Sequence, residues 1–304
     1  MRRRQKMNWK LKKADMVQEA AQTGGKNVIL EILMFVGVFI GVSIIQYIPT
    51  VVAGFMLYVT YDQLMMVHLF GTVIMTLMTM LFCKVIQKRK MRTLGFKKPG
   101  MWKEYGIGLV VGFVMMAVIV LVGVVTGSMT LTFNPEAATG AGIGMLVLLF
   151  FGFVLQGMSE EVLCRGYFLV SLARKKGYMW MAVIVNAVAF AALHLGNAGI
   201  APLAFVNLIL FGIFASVYFV KRGNIWGIAA IHSIWNFAQG NIFGVLVSGN
   251  DFGTTIFKSE INESMTLING GDFGLEGGIL VTIVMIVGTL MMLITKQKDV
   301  AEEV

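Results

Sequence analysis

Charged residues are scarce in this 304-residue chain: Asp, Glu, Lys and Arg together make up 13% of it, about half the share of a soluble globular domain. That leaves too little charge to solvate a globular surface, so an ordinary soluble domain is excluded. Cysteine is limited to Cys83 and Cys164, both in or beside apolar runs. A disulfide framework is therefore excluded, and both thiols read as small buried hydrophobes. Proline numbers four, and no Pro/Ser-rich linker, low-complexity tract or internal repeat divides the chain. Nothing argues for a second domain. What fills the sequence is apolar: 57% hydrophobic residues, 23 Met, 22 Phe and 35 Gly, with a mean hydropathy of +0.80. Disordered chains lack such a supply of aliphatic and aromatic surface. A bilayer is the environment that accommodates it.

Apolar runs bounded by Gly, Pro and charge predict eight transmembrane helices, at about 28–48, 64–86, 105–126, 146–172, 179–197, 202–220, 225–247 and 278–295. The expected fold is all-α and polytopic. A basic tail spans 1–27, a single transmembrane domain 28–295, and a short tail 296–304. Lys and Arg test the count, because a wrong number of spans would scatter them between alternate loops. With a cytoplasmic N-terminus, 24 of the 25 basic residues fall on one side, leaving Lys258 alone on the other. Both termini are thus expected in the cytoplasm, in the cell membrane of a prokaryote. The formal charge of +9 belongs to this topology signal and gives no reason to expect nucleic acid as a partner. The opening stretch MRRRQKMNWKLKK resembles the basic region of a signal peptide, but the apolar run after it is too long and lacks a small-residue cleavage site. The tail can also rest on anionic lipid, at ~1 kcal/mol per well-placed basic residue. Gly37/Gly41 and Gly108/Gly112 have the spacing that lets membrane helices approach closely.

Ionisable groups at membrane depth cost ~2.5 to 3.5 kcal/mol each, so they face an interior cavity and serve a function. Here they fall into three motifs: Glu160-Glu161-Val162-Leu163-Cys164-Arg165, Phe190-Ala191-Ala192-Leu193-His194 and His232-Ser233-Ile234-Trp235-Asn236. Residues four apart share a helix face, whereas neighbours diverge by about 100°. Glu161 and Arg165 can therefore pair and brace the helix, which leaves Glu160 free for chemistry. His232 and Asn236 can enter one cavity from one helix, with His194 arriving from another. Rise per residue puts Glu160 ~18 Å, His194 ~24 Å, His232 ~12 Å and Asn236 ~18 Å from the cytoplasmic ends of their spans. Tilt and side-chain reach would let them meet in a cavity opening toward the cytoplasm. A carboxylate, two imidazoles and a carboxamide around water suit hydrolysis, with Glu160 and His194 activating water and His232 and Asn236 stabilising the oxyanion. His68 has no motif partner and reads as interfacial or packed. Glu31 reads as reaching toward headgroups.

In this order and setting, the three motifs resemble those of the CPBP family, the CAAX proteases and bacteriocin-processing enzymes also called the abortive-infection family. Its pattern EExxxR, FxxxH, HxxxN/D is matched without substitution, and Gly223-Asn224-Ile225-Trp226 resembles the usual lead-in to the third motif. The resemblance covers about 145–240. It implies an intramembrane endopeptidase of the type II CAAX prenyl protease kind, with Glu160, His194, His232 and Asn236 catalytic and Glu161 and Arg165 supporting. Some members are described as metalloproteases, and Glu160, His194 and His232 are the candidate ligands if zinc is used. No HExxH occurs, and a metal-free glutamic mechanism is favoured. The expected substrate is a hydrophobic or lipidated peptide or a membrane protein. Two rivals remain: a non-catalytic scaffold, regulator or bacteriocin-immunity protein of the same family, and a proton-coupled transporter using the buried carboxylates as relays.

Overall fold

The computed structural model describes residues 11–57, 59–174 and 179–297. The basic stretch Arg2 to Lys10, Lys175 with Lys176, and the C-terminal tail from Lys298 lie outside the described residues. A short helix α1 (Asp15–Ala21) is followed by α2 (Val28–Met56), α3 (Tyr61–Val85), α4 (Met101–Val125) and α5 (Gly140–Arg174). Then come α6 (Met179–Ala192), α7 (Pro202–Arg222), α8 (Trp226–Phe237) and α9 (Ile279–Ile294). Helices α2 to α9 each overlap one of the eight expected spans, with α8 ending at Phe237 where the expected span ran to 247, and the chain is an all-α polytopic membrane protein. Five of them, α2, α3, α4, α5 and α7, are long and apolar enough to cross a bilayer by themselves. Helix α8 has no need of that length. Every residue from Gly227 to Phe237 is buried, so its polar groups are satisfied by protein and never meet lipid.

Side-chain caps fix where these helices begin. Asn27 accepts the Leu30 amide at the start of α2, and Thr60 and Gln63 form a reciprocal capping box on α3, satisfying amides that the first turn leaves without partners. Glycine sets how closely two helices approach. A Cβ on Gly108 would lie 2.2 Å from the Gly227 carbonyl oxygen, and one on Gly112 2.7 Å from that of Ile231, so α4 lies directly on α8. Gly37 and Gly41 behave otherwise. Nothing lies within 4 Å of either built Cβ, and the helix-packing role expected of that pair is not found.

The two ends of the bundle differ in chemistry. At one end α1 buries Met16, Val17 and Ala20, and its Glu19 pairs with Lys90 at 3.4 Å and Arg92 at 3.0 Å. This part of the tail is docked on the protein body. Glu31 also departs from expectation: it does not reach for headgroups but is buried in a 3.0 Å ion pair with Arg174. Arg222 pairs with Glu104 at 2.5 Å at the same end. The opposite end carries a two-stranded antiparallel sheet, β1 (Met129–Phe133) against β2 (Phe257–Ile261). It ties the α4–α5 connection to the long α8–α9 connection, a pairing across a sequence gap that no helical periodicity reveals.

Helix α5 is regular to Glu161 and then widens into a π-helical stretch, Val162–Leu169. Such a stretch disturbs the ordinary i to i−4 ladder, and Arg89 holds it from outside the span. Its guanidinium donates to the Gly166 oxygen at 2.8 Å and the Tyr167 oxygen at 3.2 Å. Arg89 is 2% exposed, and burial pulls its guanidinium down to about 10, which still leaves it charged at neutral pH.

Candidate active site

Two adjacent stripes of α5 build the site. Gly152, Gln156 and Glu160 recur every fourth residue on one stripe, and Phe153, Gly157, Glu161 and Arg165 on the next. The first stripe faces α3, where Leu69 fills the notch at Gly152 with its Cβ 3.0 Å from a built glycine Cβ. The second faces α8, where a Cβ on Gly157 would lie 2.5 Å from Ser233 Oγ. This close approach sets Glu161 beside His232, so the neighbouring acids of one motif serve two surfaces.

Glu161 is fully buried and accepts from two sides through Oε1: Arg165 Nη1 at 2.8 Å and His232 Nδ1 at 2.8 Å. The expected Glu161–Arg165 pair is present. The bond to His232 was not anticipated, and it makes Glu161 an orienting partner as well as a brace. With Nδ1 held by a carboxylate, the other ring nitrogen of His232 faces the cavity, and its Nε2 lies 3.6 Å from Glu160 Oε2. Arg165, itself 0% exposed, has its guanidinium carbon 4.6 Å from the centroid of the Phe190 ring, a cation–π contact that helps to hold a buried charge.

Phe190 explains why an aromatic opens the second motif. Its ring supports Arg165, and its carbonyl oxygen lies 2.9 Å from His194 Nδ1. A carbonyl can only accept, so Nδ1 carries the proton and the neutral ring presents Nε2 as an acceptor. His194 itself follows the last turn of α6.

Glu160 keeps 23% of its side chain exposed and borders a cavity of about 340 Å³, within the range of ligand pockets. Glu160, His194, His232 and Asn236 all line this one cavity, whereas Glu161 and Arg165 lie behind it. A residue missed in the sequence completes the arrangement. Gln156 donates to Glu160 Oε1 and accepts from Asn236 Nδ2 at 2.9 Å, linking α5 to α8 through the cavity wall. Its signal was a lone amide one turn before Glu160 in an otherwise apolar run. His68, expected at an interface or in packing, also lines the cavity, with its ring 5.0 Å from that of Tyr47.

The cavity reaches Asn197, Ser248, Asn250 and Glu276, all at the end of the bundle opposite the basic loops. Among the described residues, none from the basic, cytoplasm-assigned loops lines the cavity. The reason lies in the helix ends: His194 sits at the far end of α6, and the acids occupy α5 well before its basic terminus. Among the described residues, no three His, Cys, Asp or Glu side chains gather so as to hold a metal ion. Glu160, His194 and His232, the candidate zinc ligands, do not form such a group.

Residues 142–238 match the family model described as Type II CAAX prenyl endopeptidase Rce1-like. The match agrees with the resemblance carried by the three motifs, and it supports a peptidase, that is, a hydrolase, embedded in the membrane. No curated protein and no solved structure matches the chain.

Proposed function

We propose that this chain, whose residues 142–238 are similar to type II CAAX prenyl endopeptidases, is an intramembrane endopeptidase that cleaves a hydrophobic or lipidated peptide without a metal. One observation carries the reading. A partly solvated carboxylate, Glu160, is held by Gln156 and faced by His232 inside a cavity that His194 and Asn236 also line. Water entering this cavity would give its proton to Glu160, aided by the acceptor nitrogen of His194, and attack the scissile carbonyl carbon. The negative charge then develops on the carbonyl oxygen. His232 in its doubly protonated form would donate from Nε2, and Asn236 from the amide hydrogen that Gln156 does not use. The charges balance in that state, with two carboxylates against Arg165 and the imidazolium. Collapse of the tetrahedral intermediate breaks the C–N bond, and Glu160 returns its proton to the leaving amine.

The cavity extends toward Asn197, Ser248, Asn250 and Glu276, and the cut falls near the membrane surface on that side. Cleavage of a peptide library by purified protein, mapped by mass spectrometry with and without chelator, tests this reading. The expected result is endoproteolytic products at defined apolar sites, unchanged by chelator. Loss of cleavage that zinc alone restores would overturn the metal-free mechanism. A biological output that survives both Glu160→Ala and His194→Ala at normal protein level would leave the scaffold reading in possession. Proton-coupled flux in liposomes without any peptide cleavage would favour the transporter.

A further inference from the structure

Part of the cavity lining comes from α2 and α3, outside the segment that matches the family model. It is unexpectedly polar. Ser43, Gln46 and Thr50 recur along one face of α2, and His68 and Thr72 along one face of α3, all bordering the cavity. Thr72 spends its hydroxyl on the Leu69 carbonyl at 2.6 Å. Others have no such partner. Gln46 is 4% exposed, yet its Oε1 has no hydrogen-bond partner, and neither do Thr50 Oγ1 or His68 Nδ1. A buried acceptor or donor left unpaired costs ~1 to 3 kcal/mol, and these three atoms belong to side chains that line one cavity, which points to a ligand that pairs them on entering.

The chemistry of the wall narrows what that ligand is. Among the described residues, no Lys or Arg lines the cavity, and Glu160 and Glu276 do, so a phosphate or other anion finds repulsion there and no counter-charge. A carboxamide such as Gln46 offers one acceptor and paired donors, the complement of a peptide unit. Leu69, seated in the Gly152 notch of α5, fixes α3 one helical turn from Gln156 and two from Glu160, and His68, its neighbour in sequence, lines the same cavity as Glu160. We infer that Gln46, Thr50 and His68 form a subsite that hydrogen-bonds the main chain of the peptide, holding it across from Glu160 for cleavage; this rests on the endopeptidase reading above.

The test uses full-length protein in nanodiscs and quenched fluorescent peptides with apolar C-termini, made with and without an S-farnesyl cysteine. Gln46→Met keeps length and volume but removes the amide, and His68→Leu is the second variant. The expected result is a KM raised roughly tenfold by Gln46→Met, with kcat within about twofold. A scan of backbone N-methylation along the best peptide adds a readout that packing alone would not move. Wild type should lose cleavage at one methylated position, and Gln46→Met should no longer discriminate there. If both variants unfold as wild type does and keep its KM and N-methylation profile, the subsite is refuted while Glu160-dependent cleavage still stands. If wild type cleaves none of these peptides, the protease reading falls. In that case anisotropy binding of the same peptides to Glu160→Gln decides the subsite: weakening by Gln46→Met upholds it, and no dependence on Gln46 overturns it.

Discussion

Neighbouring acids in the first motif should fail in different ways when each is neutralised. Glu161 and Arg165 are both 0% exposed and joined at 2.8 Å, and Glu161 also binds His232 at 2.8 Å. Glu161→Gln leaves a buried guanidinium without its counter-charge, and breaking a buried pair from one side costs about 3 to 5 kcal/mol. That is a large part of a typical folding stability of about 5 to 15 kcal/mol. Glu160 is 23% exposed, and His232 Nε2 lies 3.6 Å away, beyond hydrogen-bond range. Glu160→Gln retains a side chain of the same shape and should cost no more than about 1 kcal/mol while abolishing hydrolysis. Unfolding in mixed detergent micelles, followed by tryptophan fluorescence, measures both. The double variant Glu161→Met/Arg165→Met should be less destabilised than the sum of its single changes, because neither charge is then left alone. Equal costs for Glu160→Gln and Glu161→Gln, or strict additivity in the double variant, would refute the division of labour.

Three further outcomes follow from the same geometry. Gln156→Leu removes the amide that links Glu160 to Asn236 and should lower kcat by roughly ten- to hundredfold with stability nearly intact, as steady-state cleavage by refolding-matched protein will measure. Gly157→Ala puts a Cβ 2.5 Å from Ser233 Oγ and should cost about 1 to 3 kcal/mol by forcing α5 from α8. Gly37→Ala, with open space at its Cβ, should change stability by less than about 0.5 kcal/mol in the same unfolding assay.

The sequence was most legible where a residue type is costly in its setting. Charges in apolar runs marked the ends of the helices. Glu160, Glu161, Arg165, His194, His232 and Asn236 stood out because a membrane interior penalises them, and four-residue spacing was enough to pair Glu161 with Arg165. Uncharged polar residues outside the three motifs carried a weaker signal. Gln156, Gln46 and Thr50 cost little at membrane depth, and only the packing of α3 on α5 and of α5 on α8 reveals that they share a cavity. The small sheet was invisible because its two strands are far apart in sequence and too short to show a period. Glycine spacing misled once, since Gly37/Gly41 and Gly108/Gly112 look alike as strings and differ only in whether a second helix lies opposite. Depth along single helices does not show that the α8–α9 connection also lines the cavity, through Val247, Ser248, Asn250, Phe252 and Glu276.

The most direct test is single-turnover peptide cleavage in proteoliposomes by wild type, Glu160→Gln and His194→Ala, each matched for folded protein. Cleavage by wild type and its loss in both variants, with unfolding curves unchanged, is the result expected if these side chains split an amide in one shared cavity. Full cleavage by either folded variant would contradict that account.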